Sequence, residues 1–202
     1  MVKKVIIIGA TGSLGRVVRE DILNKTDCHL ILFSRTANTI DIKDPKREII
    51  KIGDVYNNVT LDDALKDVDV VFAALSGNLG LMAEKLVHSV ERSNVKKLIF
   101  ISSMGIYNEI PAHVGERGNL KYNPMLQTYR DAADIIENSK TNYTIIRPGW
   151  FDNNDTNYEI THKGQEFGGH NVSRKSIADL VLHLIKNYEL YKNESIGINR
   201  PE

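Results

Sequence analysis

The 202 residues contain a single cysteine, Cys28. No disulfide can form within the chain, and a reducing compartment, the cytoplasm, is the expected setting. Neither sign of charge is in excess, with 26 Lys and Arg against 26 Asp and Glu. This argues against a protein that holds nucleic acid by bulk positive charge. No apolar run is long enough to span a membrane. The short one behind Met1-Val2-Lys3-Lys4 reads as a strand and not as a signal peptide. Internal repeats, heptads and low-complexity linkers are missing. The six histidines, His29, His88, His113, His162, His170 and His183, form no His-x-x-x-His pair and sit at no metal spacing with carboxylates, so no metal site is expected.

What is present begins with Val5-Ile6-Ile7-Ile8-Gly9-Ala10-Thr11-Gly12-Ser13-Leu14-Gly15-Arg16. Four β-branched residues read as a buried strand, and Leu14, Val17, Val18 and Ile22 mark one face of a following helix. A strand that turns through glycines into a helix makes an anion site, because the first helical N–H groups lack partners and the helix dipole favours negative charge there. Gly9 permits the tight turn, Gly12 lets backbone approach a pyrophosphate, and Gly15 lets helix and strand pack closely. Gly9, Thr11, Gly12, Ser13, Leu14, Gly15 and Arg16 are therefore candidate cofactor contacts.

Further strands are expected at 29–33, 48–52, 68–73, 97–101, 143–146 and 195–199. Helices are expected around 61–65 and over 79–93, 125–139 and 174–188, the last capped by Ser173. This alternation predicts one α/β domain over 1–202, a doubly wound parallel sheet of the dinucleotide-binding Rossmann type with ligand at the carboxyl ends of its strands. Residues 104–124 and 152–172 lack a clear period and are expected to be loops over the active face. Lys96-Lys97 reads as a solvent-facing edge.

The strand ends then supply chemistry. Ser34-Arg35-Thr36 follows the second strand, where an acid would meet a ribose 2′-hydroxyl and a cation a 2′-phosphate. With no acid before Asp41, Ser34 and Arg35 point to NADP(H) over NAD(H). Asp54 and Val55, after the third strand, suit an adenine amino group and ring. Ala74, Leu75, Ser76 and Gly77, after the fourth, let backbone pass close to a cofactor.

Gly9-Ala-Thr-Gly12-Ser-Leu-Gly15, Ser34-Arg35, Gly53-Asp54-Val55, Ile101-Ser102-Ser103-Met104-Gly105-Ile106-Tyr107 and Tyr143-Thr-Ile-Ile-Arg147-Pro148-Gly149-Trp150-Phe151 together resemble the atypical short-chain dehydrogenase/reductases. Among these the chain is most similar to small NAD(P)-binding proteins like NmrA and biliverdin IXβ (flavin) reductase, and Ser173-Arg174 fits the same pattern. The resemblance implies a Ser-Tyr-Lys catalytic arrangement, in which an ammonium four residues after the tyrosine lowers its pKa from about 10. Ser103 matches the serine and Tyr129 the tyrosine. The position of the lysine is Ala133, and Arg130 lies about 100° around the helix from Tyr129. Tyr129 is therefore expected to be a weak acid–base catalyst.

A flavin or linear tetrapyrrole takes hydride directly, with the proton supplied by solvent. The resemblance thus implies an NADPH-dependent reductase of a flavin-like or other planar, conjugated small molecule. Ser102 is a candidate cofactor contact, Pro148 and Gly149 would lie against the nicotinamide, and Ser103 would hydrogen-bond its amide or a substrate. Trp150 and Phe151 would wall the acceptor, although a lone tryptophan is somewhat more often core. The alternative is a non-catalytic NADP(H) sensor acting through a protein partner; a sugar-nucleotide epimerase would need a larger carboxyl-terminal region.

Overall fold

The structure, a computed structural model, describes residues 2–202. Its elements are β1 (Lys4–Ile8), α1 (Ser13–Lys25), β2 (His29–Ser34), β3 (Glu48–Ile52), α2 (Asn58–Ala64), β4 (Val70–Ala73), α3 (Leu79–Glu91) and β5 (Lys97–Ile101). There follow α4 (Gln127–Glu137), β6 (Tyr143–Pro148), β7 (Trp150–Asp152), β8 (Glu159–His162), β9 (Asn171–Ser173), α5 (Arg174–Lys186) and β10 (Glu194–Asn199). One eight-stranded sheet runs in the order β3-β2-β1-β4-β5-β6-β10-β8. All neighbours in it are parallel except β10 and β8.

Strand alternation splits the core in two. Ile6 and Ile8 of β1 pack with α2, α3 and α4 through Leu61, Met82, Leu86, Ala132 and Ile136. Val5 and Ile7 pack on the opposite face with α1 and α5 through Leu14, Val18, Ile22, Ile177 and Val181. A β-branched run buried on both faces of a parallel sheet is what such a two-sided cover requires. The strand order turns back between β1 and β4, and ligands of open α/β sheets sit at the carboxyl ends beside that point. Among the described residues no helix is long and apolar enough to cross a membrane.

Four features differ from the sequence expectations. The helix after β3 begins at Asn58, three residues earlier than read, because Asn57 caps it by accepting from the amides of Val59 and Thr60. Val68 and Asp69 are not in β4: Asp67 has φ 58, and the Asp69 carboxylate instead accepts from Lys4 N and Lys96 Nζ. The stretch 152–172 is not all loop, since β8 adds an antiparallel strand beside β10 and β7 pairs with β9. Lys97 is not at a solvent-facing edge. It is 0% exposed, and its Nζ donates at 3.1 Å each to Asn142 Oδ1 and to the carbonyls of Tyr188 and Leu190. The 104–124 connection holds a 3-10 turn at Glu116–Gly118, and a second one, Pro124–Leu126, begins at its end.

Candidate active site

Glycine geometry builds the first half of the site. Gly9 has φ +92, and a Cβ there would strike the carbonyl oxygen of Ala74 at the end of β4. A Cβ at Gly15 would strike Gly9 O and come within 3.2 Å of Ala10 Cα, so α1 lies against the strand that feeds it. Gly12 is the N-cap and carries no capping side chain, unlike Asn57, Asn78 and Ser173, which cap α2, α3 and α5. The first helical bond of α1 runs from Arg16 N to Gly12 O at 3.0 Å. The amides of Ser13, Leu14 and Gly15 therefore precede the helical ladder, and an anion satisfies such donors.

A cleft of about 220 Å³ opens beside this turn, lined by Gly9, Thr11, Gly12, Ser34, Arg35, Thr36, Asp54, Val55, Ala74, Leu75 and Ser76. Phe33 and Met82 also line it, and sequence reasoning missed both because they read as plain core. At its β2 end the hydroxyls of Thr11, Ser34 and Thr36 form a cluster with separations of 3.3 to 3.5 Å. Arg35 is exposed beside them, and among the described residues no carboxylate lies within 4.0 Å of it. Asp54 holds the turn after β3 by accepting from Tyr56 N at 3.1 Å, and Val55 is buried at the cleft wall.

Of the candidate contacts in the glycine stretch, Ser13, Leu14, Gly15 and Arg16 lie outside the cleft lining. The Leu14 side chain is buried in the core under α1 and offers the site only its backbone. Arg16 lines a neighbouring depression with Ile40 and Lys43, and its Nε donates to Thr11 O at 3.0 Å. Gly77, at φ +111, lies outside the cleft lining, where its carbonyl accepts from Thr128 Oγ1 at 3.2 Å.

The second half is a larger and mainly apolar cleft of about 580 Å³ at the ends of β5 and β6. Ser102, Ser103, Tyr129, Pro148, Gly149, Trp150 and Phe151 all line it, together with Met104, Asn123, Met125, Leu126 and Arg174. Ser102 N donates to Ile146 O and Met104 N to Pro148 O, which ties the two strand ends side by side. Trp150 is wall rather than core: it is 66% exposed and stacks on His170, with ring centroids 5.9 Å apart and planes 7° apart. Ser103 Oγ donates to Met104 O at 3.0 Å, and the nearby Ser102 Oγ to Tyr129 O at 3.5 Å.

The lysine position after Tyr129 and the neighbouring Arg130 supply it with no free cation. Ala133 is fully buried, and Arg130 pairs with Asp134 at 2.8 Å with its guanidinium over the Tyr107 ring. The Met125 and Leu126 contacts had no sequence signal, since both follow an Asn-Pro break that reads only as a helix start. Arg174 opens α5, and its Nε donates to Ser13 Oγ at 3.3 Å, so the two halves of the site meet across 161 residues of chain.

A family model described as NAD(P)H-binding matches residues 9–188. The chain is similar to a Rossmann-fold NAD(P)-binding family protein from Shigella flexneri, at 35% identity and a TM-score of 0.86, over 100% of this chain and 95% of that one. It is also similar to a short-chain dehydrogenase/reductase of wide type from Veillonella parvula solved in complex with NADP, at 27% identity and a TM-score of 0.91, over 100% and 96% of the two chains. ChuY, an anaerobillin reductase from Escherichia coli O157:H7, shares the fold at 16% identity and a TM-score of 0.83, over 99% and 98%. A comparison with curated proteins finds no match. With the glycine turn, the strand-end clefts and these likenesses in agreement, the chain belongs to the NAD(P)H-binding family of atypical short-chain dehydrogenase/reductases.

Proposed function

We propose that the protein is an NADPH-dependent reductase that passes hydride to a flavin-like or other planar conjugated acceptor. The observation that carries this reading is the apolar, aromatic-walled cleft of about 580 Å³ directly over Ser102, Pro148 and Gly149. Those strand ends face the place where a dinucleotide on the glycine turn would present its nicotinamide. When bound, NADPH would supply the hydride, two electrons and a proton together, leaving as NADP⁺, and the acceptor's remaining proton would come from water. Such a reaction asks the chain to bind and align two rings and to exclude competing water, and it asks for no strong acid. Ser103 is suited to hold the nicotinamide amide or an acceptor carbonyl. Tyr129 is suited to pack against the acceptor.

The choice of NADPH over NADH rests on Arg35 and the Thr11, Ser34 and Thr36 hydroxyls, which suit the 2′-phosphate. A single buried cysteine is in keeping with a cytoplasmic setting. The test is steady-state oxidation of NADPH with FMN, FAD, riboflavin and quinones. Turnover of one or more of them is expected, and binding of NADPH without consumption of any contradicts the reading. The missing lysine four residues after Tyr129 equally favours a non-catalytic NADP(H) sensor. That reading expects redox-inert binding and a protein partner whose affinity differs between the NADP⁺ and NADPH forms.

A further inference from the structure

The acceptor cleft is apolar along most of its wall, yet one cation stands in it. Arg174 lines the cleft with Phe151, and its guanidinium carbon lies 5.2 Å from the centre of the Phe151 ring. Neutral oxygens hold part of the head group: Nε donates to Ser13 Oγ at 3.3 Å, and Nη1 to Asp152 O and Asn153 Oδ1 at 3.2 Å each. Among the described residues Nη2 makes no hydrogen bond, and no carboxylate lies within 4.0 Å of the guanidinium. The nearby carboxylate, Asp152, is taken instead by Arg200 at 2.7 Å. A guanidinium stacked on an aromatic ring and fixed by three neutral acceptors is pre-oriented and keeps one donor edge for a ligand anion.

We infer that Arg174 makes the cleft select acceptors that carry a peripheral anion, a phosphate or a carboxylate on a planar conjugated ring. The apolar bed of Met104, Leu126, Pro148, Trp150 and Phe151 takes the ring, and the Arg174 edge takes the charge. This rests on the proposed acceptor site but not on turnover. Arg174 lines the acceptor cleft, and its Nε is already engaged by Ser13 Oγ at the glycine turn, so the NADP⁺ affinity of the Arg174 variants is what separates this role from a contact to the cofactor's diphosphate.

The chain's one tryptophan, Trp150, lies in the same wall, so quenching of its emission reports occupancy. Protein loaded with NADP⁺ is titrated with FMN and riboflavin, which share one ring and differ in the phosphate, and with biliverdin and its dimethyl ester, which differ in the carboxylates. The expected result is that wild type binds the anionic member of at least one pair about tenfold more tightly, a preference of ~1.4 kcal/mol. The pair that shows the preference identifies the anion. In Arg174→Gln the ratio collapses toward one, Arg174→Lys restores part of it, and NADP⁺ affinity stays within about twofold. NADPH oxidation is measured separately, so loss of the reductase reading with the preference intact is recognisable as such. A ratio unchanged in Arg174→Gln, no binding of any of the four, or a fall confined to NADP⁺ affinity overturns the inference.

Discussion

Glu109, in the long connection after β5, and Arg147, near the end of β6, form an ion pair that is sealed from solvent. Glu109 also accepts from the amides of Gly105 and Tyr107, and Arg147 donates to Ser195 Oγ at 3.1 Å and to Ser195 O. The pair thereby pins the 104–124 connection to β6 and β10. Removing one partner strands a buried charge. Glu109→Gln or Arg147→Met is expected to cost about 3–5 kcal/mol, a fall in Tm on the order of 10 °C. The double variant should cost clearly less than the sum of the two. Urea unfolding of the four proteins checks this, and additive losses would contradict the coupling.

A second expectation concerns alkaline pH. Burial holds the Lys97 ammonium at a pKa of about 8, against 10.5 for the exposed side chain, with the nearby Glu189 offsetting part of the shift. Between these values the unfolded chain binds more protons at this site than the folded one, so the contribution of Lys97 to stability rises with pH there. Below about pH 8 it is level. The unfolding free energy of wild type minus that of Lys97→Met should therefore move in favour of wild type from pH 8 to pH 10. A difference independent of pH would contradict it.

Those two residues also mark the border of what the sequence makes legible. The β-branched runs, the glycine spacing and the small residues at strand ends are local signals, and they locate the sheet, the switch point and most of both clefts. Burial of a charge is not local. Lys97 is satisfied by Asn142, Tyr188 and Leu190, and Arg147 by Glu109 and Ser195, partners that only the folded topology brings near. Strand β8 was hidden for a related reason. Its four residues, partly exposed at the sheet edge, carry no two-residue alternation, and their pairing with β10 is set by a neighbour 30 residues and more downstream. Trp150 faces outward because β7 and β9 form a separate ribbon over the site, which the polar stretch around them does not announce.

A third expectation tests the cofactor's adenosine end. Hydrogen bonds to a charged group contribute about 1.5–3 kcal/mol, and Arg35 is the exposed cation beside the Thr11, Ser34 and Thr36 hydroxyls. Arg35→Gln should weaken NADPH binding by about 10- to 100-fold while NADH, which has no 2′-phosphate, changes by no more than about twofold. Calorimetric titration of both nucleotides decides it. Parallel losses for NADPH and NADH would make Arg35 a general contact instead.

The last concerns Tyr129, whose hydroxyl makes no hydrogen bond among the described residues and lines the acceptor cleft. A tyrosine that delivers a proton in the rate-limiting step contributes about 10²–10⁴ to kcat, and it needs a cation to do so near neutrality. Here the position one helical turn on is the buried Ala133, and the adjacent Arg130 is engaged by Asp134 at 2.8 and 2.9 Å. Tyr129→Phe keeps the ring and removes only the hydroxyl. With a flavin or quinone acceptor it should lower kcat by less than about threefold, leaving any larger effect in the acceptor KM, and wild type should not turn over simple ketones. A loss of kcat of a hundredfold or more would restore the hydroxyl as proton donor, and Arg174, the cation lining the same cleft, would then be the candidate to activate it.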